Sequence, residues 1–215
     1  MMRFPLIAAL LGALTLGACG TASDNPLRAT LFNNLKQLVS KKEPQQVLTT
    51  AILRTRLTPE VRAQLAASLM IVELPTLKIA SVVSEVAQNG AVTTWFAPDG
   101  VGLSTKAGML ISTRGIGFDL MSSSIDGPLA IVTGSGEGVA TRIHRVLDGE
   151  DQEVVLRFEC TYTRDKSYVF ESCTGKVSGK DLTIENHYWR DKSGEILSSK
   201  QWAGVRNGYM LLEKT

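Results

Sequence analysis

The chain has 215 residues, and its 23 lysines and arginines nearly balance 21 aspartates and glutamates, for a formal charge of +2. Such a chain lacks the global positive field that draws in nucleic acid, so a nucleic-acid partner is not expected. Three cysteines are an odd count, which points to separate jobs for the first and for the other two.

The chain opens with Arg3 and an apolar run from Phe4 to Leu16, followed by Leu16-Gly17-Ala18-Cys19. A basic start, an apolar middle and small residues at the exit form the layout of an export signal. The run is shorter than the roughly 20 apolar residues that a membrane-crossing helix needs. The stretch ending at Cys19 resembles a bacterial lipoprotein cleavage box. That resemblance implies removal of residues 1–18, a diacylglyceryl group on the Cys19 sulfur and an acylated new amine, so that membrane lipid is the first partner. Gly20, rather than an aspartate, follows the cysteine, a pattern similar to that of lipoproteins sent to the outer membrane. The alternative is an ordinary secretory signal in which Cys19 is incidental.

Residues 19–25 read as a short tether and 26–215 as a single domain, within the size one core can support. Asn25-Pro26 predicts a helix start, and Leu27, Leu31, Leu35, Leu38 and Val39 recur on one helical face. Thr58-Pro59-Glu60 predicts a second short helix, with Val61, Leu65 and Leu69 on one side. Between residues 25 and 65, Arg28, Lys36, Lys41, Lys42, Arg54, Arg56 and Arg62 face only Glu43 and Glu60. This stretch could lie against lipid headgroups, but a solvated helical face is the commoner outcome.

From Met70 the pattern alternates with a period of two, as in antiparallel strands. Five strands are expected over 70–74, 77–88, 92–96, 101–105 and 109–113, with turns at Pro75, Asn89-Gly90, Pro98-Asp99-Gly100 and Ala107-Gly108. Residues 117–138, rich in glycine and serine, read as a crossover or mobile loop. Six more strands follow, over 141–147, 153–163, 168–177, 182–190, 196–203 and 209–213. The expected fold is mainly β: an antiparallel curled sheet or barrel-like domain with two short N-terminal helices, since so many strands must curl or close. With Cys19 assigned to lipid, Cys160 and Cys173 remain as a pair flanking a turn in an oxidising compartment, and a structural disulfide is the natural reading.

Several constellations fail as sites. Gly134-Ser135-Gly136-Glu137-Gly138 lacks the lysine, hydroxyl and following helix of a phosphate loop. Ser135 has no nucleophile elbow around it. His144 and His187 have no second ligand at metal spacing, and Asp148, Glu150, Asp151 and Glu153 crowd one turn rather than face each other across a cleft. No catalytic residue, metal or cofactor is therefore expected. Trp95, Tyr188, Trp189 and Trp202 lie on strands, where rings either pack in a core or present a face to a glycan or partner. Adjacent Tyr188 and Trp189 must point to opposite faces.

Two stretches carry a family resemblance. One runs from Thr94-Trp95-Phe96-Ala97-Pro98-Asp99-Gly100 through Val101-Gly102-Leu103-Ser104-Thr105 to Gly108-Met109-Leu110 and Thr113-Arg114-Gly115-Ile116. The other is Asn186-His187-Tyr188-Trp189-Arg190-Asp191 with Gly194-Glu195-Ile196 and Ser199-Lys200-Gln201-Trp202. They resemble the group 4 capsule polysaccharide lipoprotein family, GfcB/YjbF. The resemblance implies an outer-membrane lipoprotein with a mainly β fold, on the periplasmic face, that serves capsule or exopolysaccharide assembly or secretion without being an enzyme. Its partners would be other secretion proteins and the polysaccharide. An alternative from another class is a carrier of lipids or lipoproteins with an apolar cavity. A third is a glycan-modifying enzyme, which requires converging acid and base groups in a cleft.

Overall fold

A computed structural model describes residues 33–36, 47–65, 67–135 and 137–215. Cys19, the export segment, the tether and most of the first predicted helix lie outside them; residues 33–36 are helical. No described helix is long and apolar enough to cross a membrane.

Twelve antiparallel strands form one sheet: β1 (Leu69–Leu74), β2 (Ile79–Asn89), β3 (Val92–Phe96), β4 (Gly102–Lys106), β5 (Met109–Arg114), β6 (Leu120–Ser124), β7 (Val139–Leu147), β8 (Glu153–Asp165), β9 (Tyr168–Val177), β10 (Lys180–Arg190), β11 (Ile196–Gly204) and β12 (Gly208–Lys214). The order is β5-β4-β3-β2-β1-β12-β11-β10-β9-β8-β7-β6, so two hairpin meanders are welded where β1 pairs with β12. The turns supply the needed backbone: Ala107-Gly108 and Ser178-Gly179 both sit at positive φ in two-residue hairpin loops.

The curl brings edges β5 and β6 together without a ladder. Thr113 Oγ1 accepts the Leu120 N–H at 2.9 Å and donates to Asp119 Oδ1 at 3.0 Å, while Asp119 Oδ2 accepts from Gly115 N at 2.8 Å. Side chains stitch a seam that backbone pairing leaves open, which limits the hazard of free strand edges.

Two short helices, α1 (Thr50–Arg56) and α2 (Pro59–Leu65), cover the outer face of β1 and β2. Leu53, Leu57 and Leu65 pack there with Leu69, Ile71 and Val82, while Met70, Val72 and Leu74 face inward. Burial on both faces explains why β1 reads as a continuous apolar run rather than an alternation. Glu73 is its exception: the carboxylate accepts the Thr50 N–H at 2.6 Å, at the electropositive start of α1.

Two expectations need correction. Leu69 belongs to β1 rather than to α2, which ends at Leu65, and helix α1 stands ahead of α2 in addition to the expected elements. Residues 117–138 are not simply a loop, because they contain strand β6 and helix α3 (Asp126–Thr133). Serines dominate β6, and its one fully buried apolar residue, Leu120, leaves little alternation to read.

Candidate functional site

Alternation on β8 turns Phe158, Cys160 and Tyr162 inward, and β9 answers with Gly175, Cys173 and Glu171 in register. Cys160 and Cys173 are directly opposed, with Cα atoms 3.9 Å apart, and form a disulfide. Gly175 stands opposite Phe158 because a Cβ there would lie 2.6 Å from the ring.

Beside the disulfide lies a fully buried polar network. Arg142 on β7 forms a salt bridge with Glu171 (2.8 Å) and also donates to the Tyr188 hydroxyl at 3.0 Å. Glu171 accepts further bonds from Tyr162 (2.7 Å), Asn186 (2.7 Å) and Tyr188 (2.8 Å). Asn186 Oδ1 in turn takes the N–H of Trp202 at 2.7 Å, beyond the point where the β10–β11 ladder ends at His187 and Lys200. Burial alone would raise the Glu171 pKa, but the Arg142 charge and three hydrogen bonds outweigh it and hold the carboxyl below its usual range. Burial likewise opposes the Arg142 charge, which Glu171 more than restores. Burial pushes the Tyr162 and Tyr188 hydroxyls far up. Each group is ionised or neutral as its partners require, and the set is closed to solvent. Such a network organises a core; it has no approach for a substrate.

His144, one inward position along β7 from Arg142, is buried too. Its ring stacks on Trp202 at 5.4 Å and meets Phe158 edge-on at 5.9 Å, and neither nitrogen has a hydrogen-bond partner. Burial, then the nearby Arg142, lowers its pKa to about 3, so it is neutral at physiological pH.

The four aromatics singled out in the sequence therefore separate. Trp95 is buried and donates to Thr105 Oγ1 at 3.1 Å; Tyr188 and Trp202 are core. Those three cannot meet a glycan in this fold, because their faces are already packed. Trp189, 44% exposed, stands on the outer face. It joins Tyr168 (5.5 Å) and stacks nearly parallel on His187 (6.1 Å), which also contacts Phe170 (5.2 Å) and the Tyr168 hydroxyl (2.6 Å). Burial and Lys200 keep His187 below its usual pKa despite Glu185.

At the same end of the sheet, a cleft of about 850 Å³ lies where the β8–β9 and β10–β11 turns meet the end of α3. Arg164 reaches the Ile131 carbonyl at 2.7 Å, and Arg190 reaches those of Val132, Thr133 and Gly134 at 2.7–3.0 Å. Guanidinium groups there satisfy helix-end carbonyls and complement the dipole. Alternation in Tyr188-Trp189 was readable; the cleft was not, because its residues lie on three separate turns and helix ends.

At the other end of the sheet, Val146, Val154, Leu156, Val177 and Phe118 line a cleft of about 310 Å³. The inner face itself is filled by Phe158, Tyr188, Met109, Leu110, Leu120 and Met210. In the basic N-terminal stretch, Arg54 is spent on Glu213 through two bonds of 2.5 and 2.8 Å.

Comparison with known proteins agrees with this architecture. The family model described as group 4 capsule polysaccharide lipoprotein gfcB, YjbF matches residues 32–214. None of the curated proteins matches. Among solved structures, the hypothetical lipoprotein YmcC from Escherichia coli (K12) is similar in fold, with a TM-score of 0.61 at 16% identity over 80% of this chain and 96% of that one. A family model that spans both meanders, from ahead of α1 to the end of β12, assigns the chain: it belongs to the group 4 capsule polysaccharide lipoprotein family, GfcB/YjbF.

Proposed function

We propose that the protein is a non-enzymatic accessory in capsule or exopolysaccharide assembly or secretion, anchored by acylated Cys19 on the periplasmic face of the outer membrane. The observation that carries this reading is the family match over residues 32–214, and the lipoprotein box at Leu16-Gly17-Ala18-Cys19 adds the anchor. Each buried acyl methylene contributes about 0.8 kcal/mol, and more than one chain converts reversible binding into stable attachment. An accessory rather than a catalyst suits the chemistry of the described residues: the buried acid–base cluster is saturated, and the exposed cleft is cationic with no paired carboxylates. Among the described residues the inner face is filled by side chains, which favours the accessory reading over the carrier alternative. Other secretion proteins and the polysaccharide are the expected partners.

Deleting the gene should lower secreted polysaccharide while cytoplasmic precursors stay intact. Radiolabelled palmitate should enter the native chain and not Cys19→Ala. Unchanged secretion in the deletion strain would overturn the role, and undiminished labelling of Cys19→Ala would overturn the anchor.

A further inference from the structure

The cleft at the end of β8–β11 holds four cationic side chains, Arg164, Lys166, Arg190 and Lys192, against the single carboxylate of Asp191. Asp191 is occupied within its own turn, where Oδ1 accepts from Ser193 N (2.8 Å), Ser193 Oγ (2.7 Å) and Glu195 N (2.9 Å). Arg190 donates to neutral helix-end carbonyls, which orient it without cancelling its charge. Burial, then the Arg164 charge, lowers the Arg190 pKa, as expected for like charges gathered together. Lys166 and Lys192 are exposed at the rim. A concave site of one sign concentrates field and attracts an anion of the opposite sign.

Charge alone would suit any anion, but the neighbouring surface is selective. Trp189 directly precedes Arg190 on β10 and Tyr168 directly follows Ser167 on β9, so the outward-facing rings stand at the same end of the sheet as the basic cleft. Ring faces beside hydroxyls and cations match a chain of sugar rings that carries carboxylates: the rings cover pyranose C–H faces, and the cations pair with the acid groups. We infer that the β9–β10 hairpin and the adjoining cleft form a binding site for an acidic polysaccharide, with Trp189 as the stacking platform and Lys166, Arg190 and Lys192 as the anion contacts. This rests on the capsule-related reading above and names the ligand class and the surface that takes it. An anionic lipid headgroup shares the charge, so vesicles of anionic phospholipid form one arm of the test.

The test uses the purified full-length lipoprotein in neutral detergent. The probes are the polysaccharide secreted by the producing cells, the same polymer after carboxyl reduction, and neutral dextran. The native chain should bind the first and neither of the others. Trp189→Ala and the double variant Lys166→Ser/Lys192→Ser should each weaken binding about tenfold while keeping the native circular-dichroism spectrum and a cooperative unfolding transition. Absent binding, equal affinity for the carboxyl-reduced polymer, or undiminished binding by both variants would overturn the inference. So would vesicles of anionic phospholipid that retain the protein through these same residues better than the polysaccharide does. If secretion falls on deletion and both variants restore it fully, the acidic-polysaccharide site fails while the accessory role stands. If secretion does not fall on deletion, the role itself fails.

Discussion

Two groups of arginines in this protein have opposite fates. Arg142 is enclosed in the sheet and closed off by Glu171, two tyrosines and an asparagine. Arg164 and Arg190 sit at the sheet end, oriented by helix carbonyls and facing a cleft with an excess of positive charge. Glu171 neutralises Arg142, while helix-end carbonyls hold Arg164 and Arg190. Neutralisation inside the fold yields an element of structure; carbonyl contacts at Arg190 and exposure of Lys166 and Lys192 leave charge available to a partner. Where the counter-charge resides thus separates scaffold from working surface.

The comparison breaks most severely at Glu171. Replacing it with leucine strands Arg142 in the core and should cost about 3–5 kcal/mol in chemical denaturation; a loss near zero would mean that the network is not closed to solvent. Next in size is the disulfide beside it. Cys160 and Cys173 are 13 residues apart, and reducing them, or replacing both with serine, should lower stability by roughly 3 kcal/mol in the chain-entropy model.

His144 sharpens the contrast through pH. Burial and Arg142 depress its pKa to about 3, against about 6.5 in an unfolded chain. Above that unfolded value both states are neutral and His144 contributes no slope. As pH falls from about 6.5 towards 3, the unfolded chain takes up a proton that the folded one refuses, so stability drops by up to about 1.4 kcal/mol per pH unit. Denaturation midpoints of His144→Phe between neutral pH and pH 5 should lose most of that slope. Removing two unpartnered nitrogens should also add about 1 kcal/mol at neutral pH. Smaller effects belong to the rim: Trp189→Ala loses the ring contacts with Tyr168 and His187 and should cost about 1 kcal/mol, and Lys166→Ser/Lys192→Ser should change stability by less than about 0.5 kcal/mol.

Legibility in the sequence followed the same division. Strands with clear alternation and paired turns, such as Tyr168–Val177, were readable to the residue because inward and outward positions differ sharply in polarity. The family was readable from motifs at 94–116 and 186–202. Strand β6 was not, since Ser122-Ser123-Ser124 looks like a linker and its edge is closed by Asp119 and Thr113 rather than by a ladder. Helix α1 was missed because its seven residues bury only Leu53, too few to show a stripe, and its N-terminus is completed by Glu73 from a distant strand. Among the candidate aromatics, composition could not sort Trp95 and Trp202 from Trp189; that depends on which face each strand buries. A signal for the inner network did exist. Glu171 occupies an inward register position between Val169 and Cys173, and a charge there demands a partner across the sheet.

The most direct measurement is secreted polysaccharide from the deletion strain carrying either His144→Phe or Lys166→Ser/Lys192→Ser at matched membrane abundance. If interior polarity is scaffold and rim charge is the working surface, the core variant restores secretion and the rim variant does not. Full restoration by the rim variant alongside failure of the core variant would contradict the account.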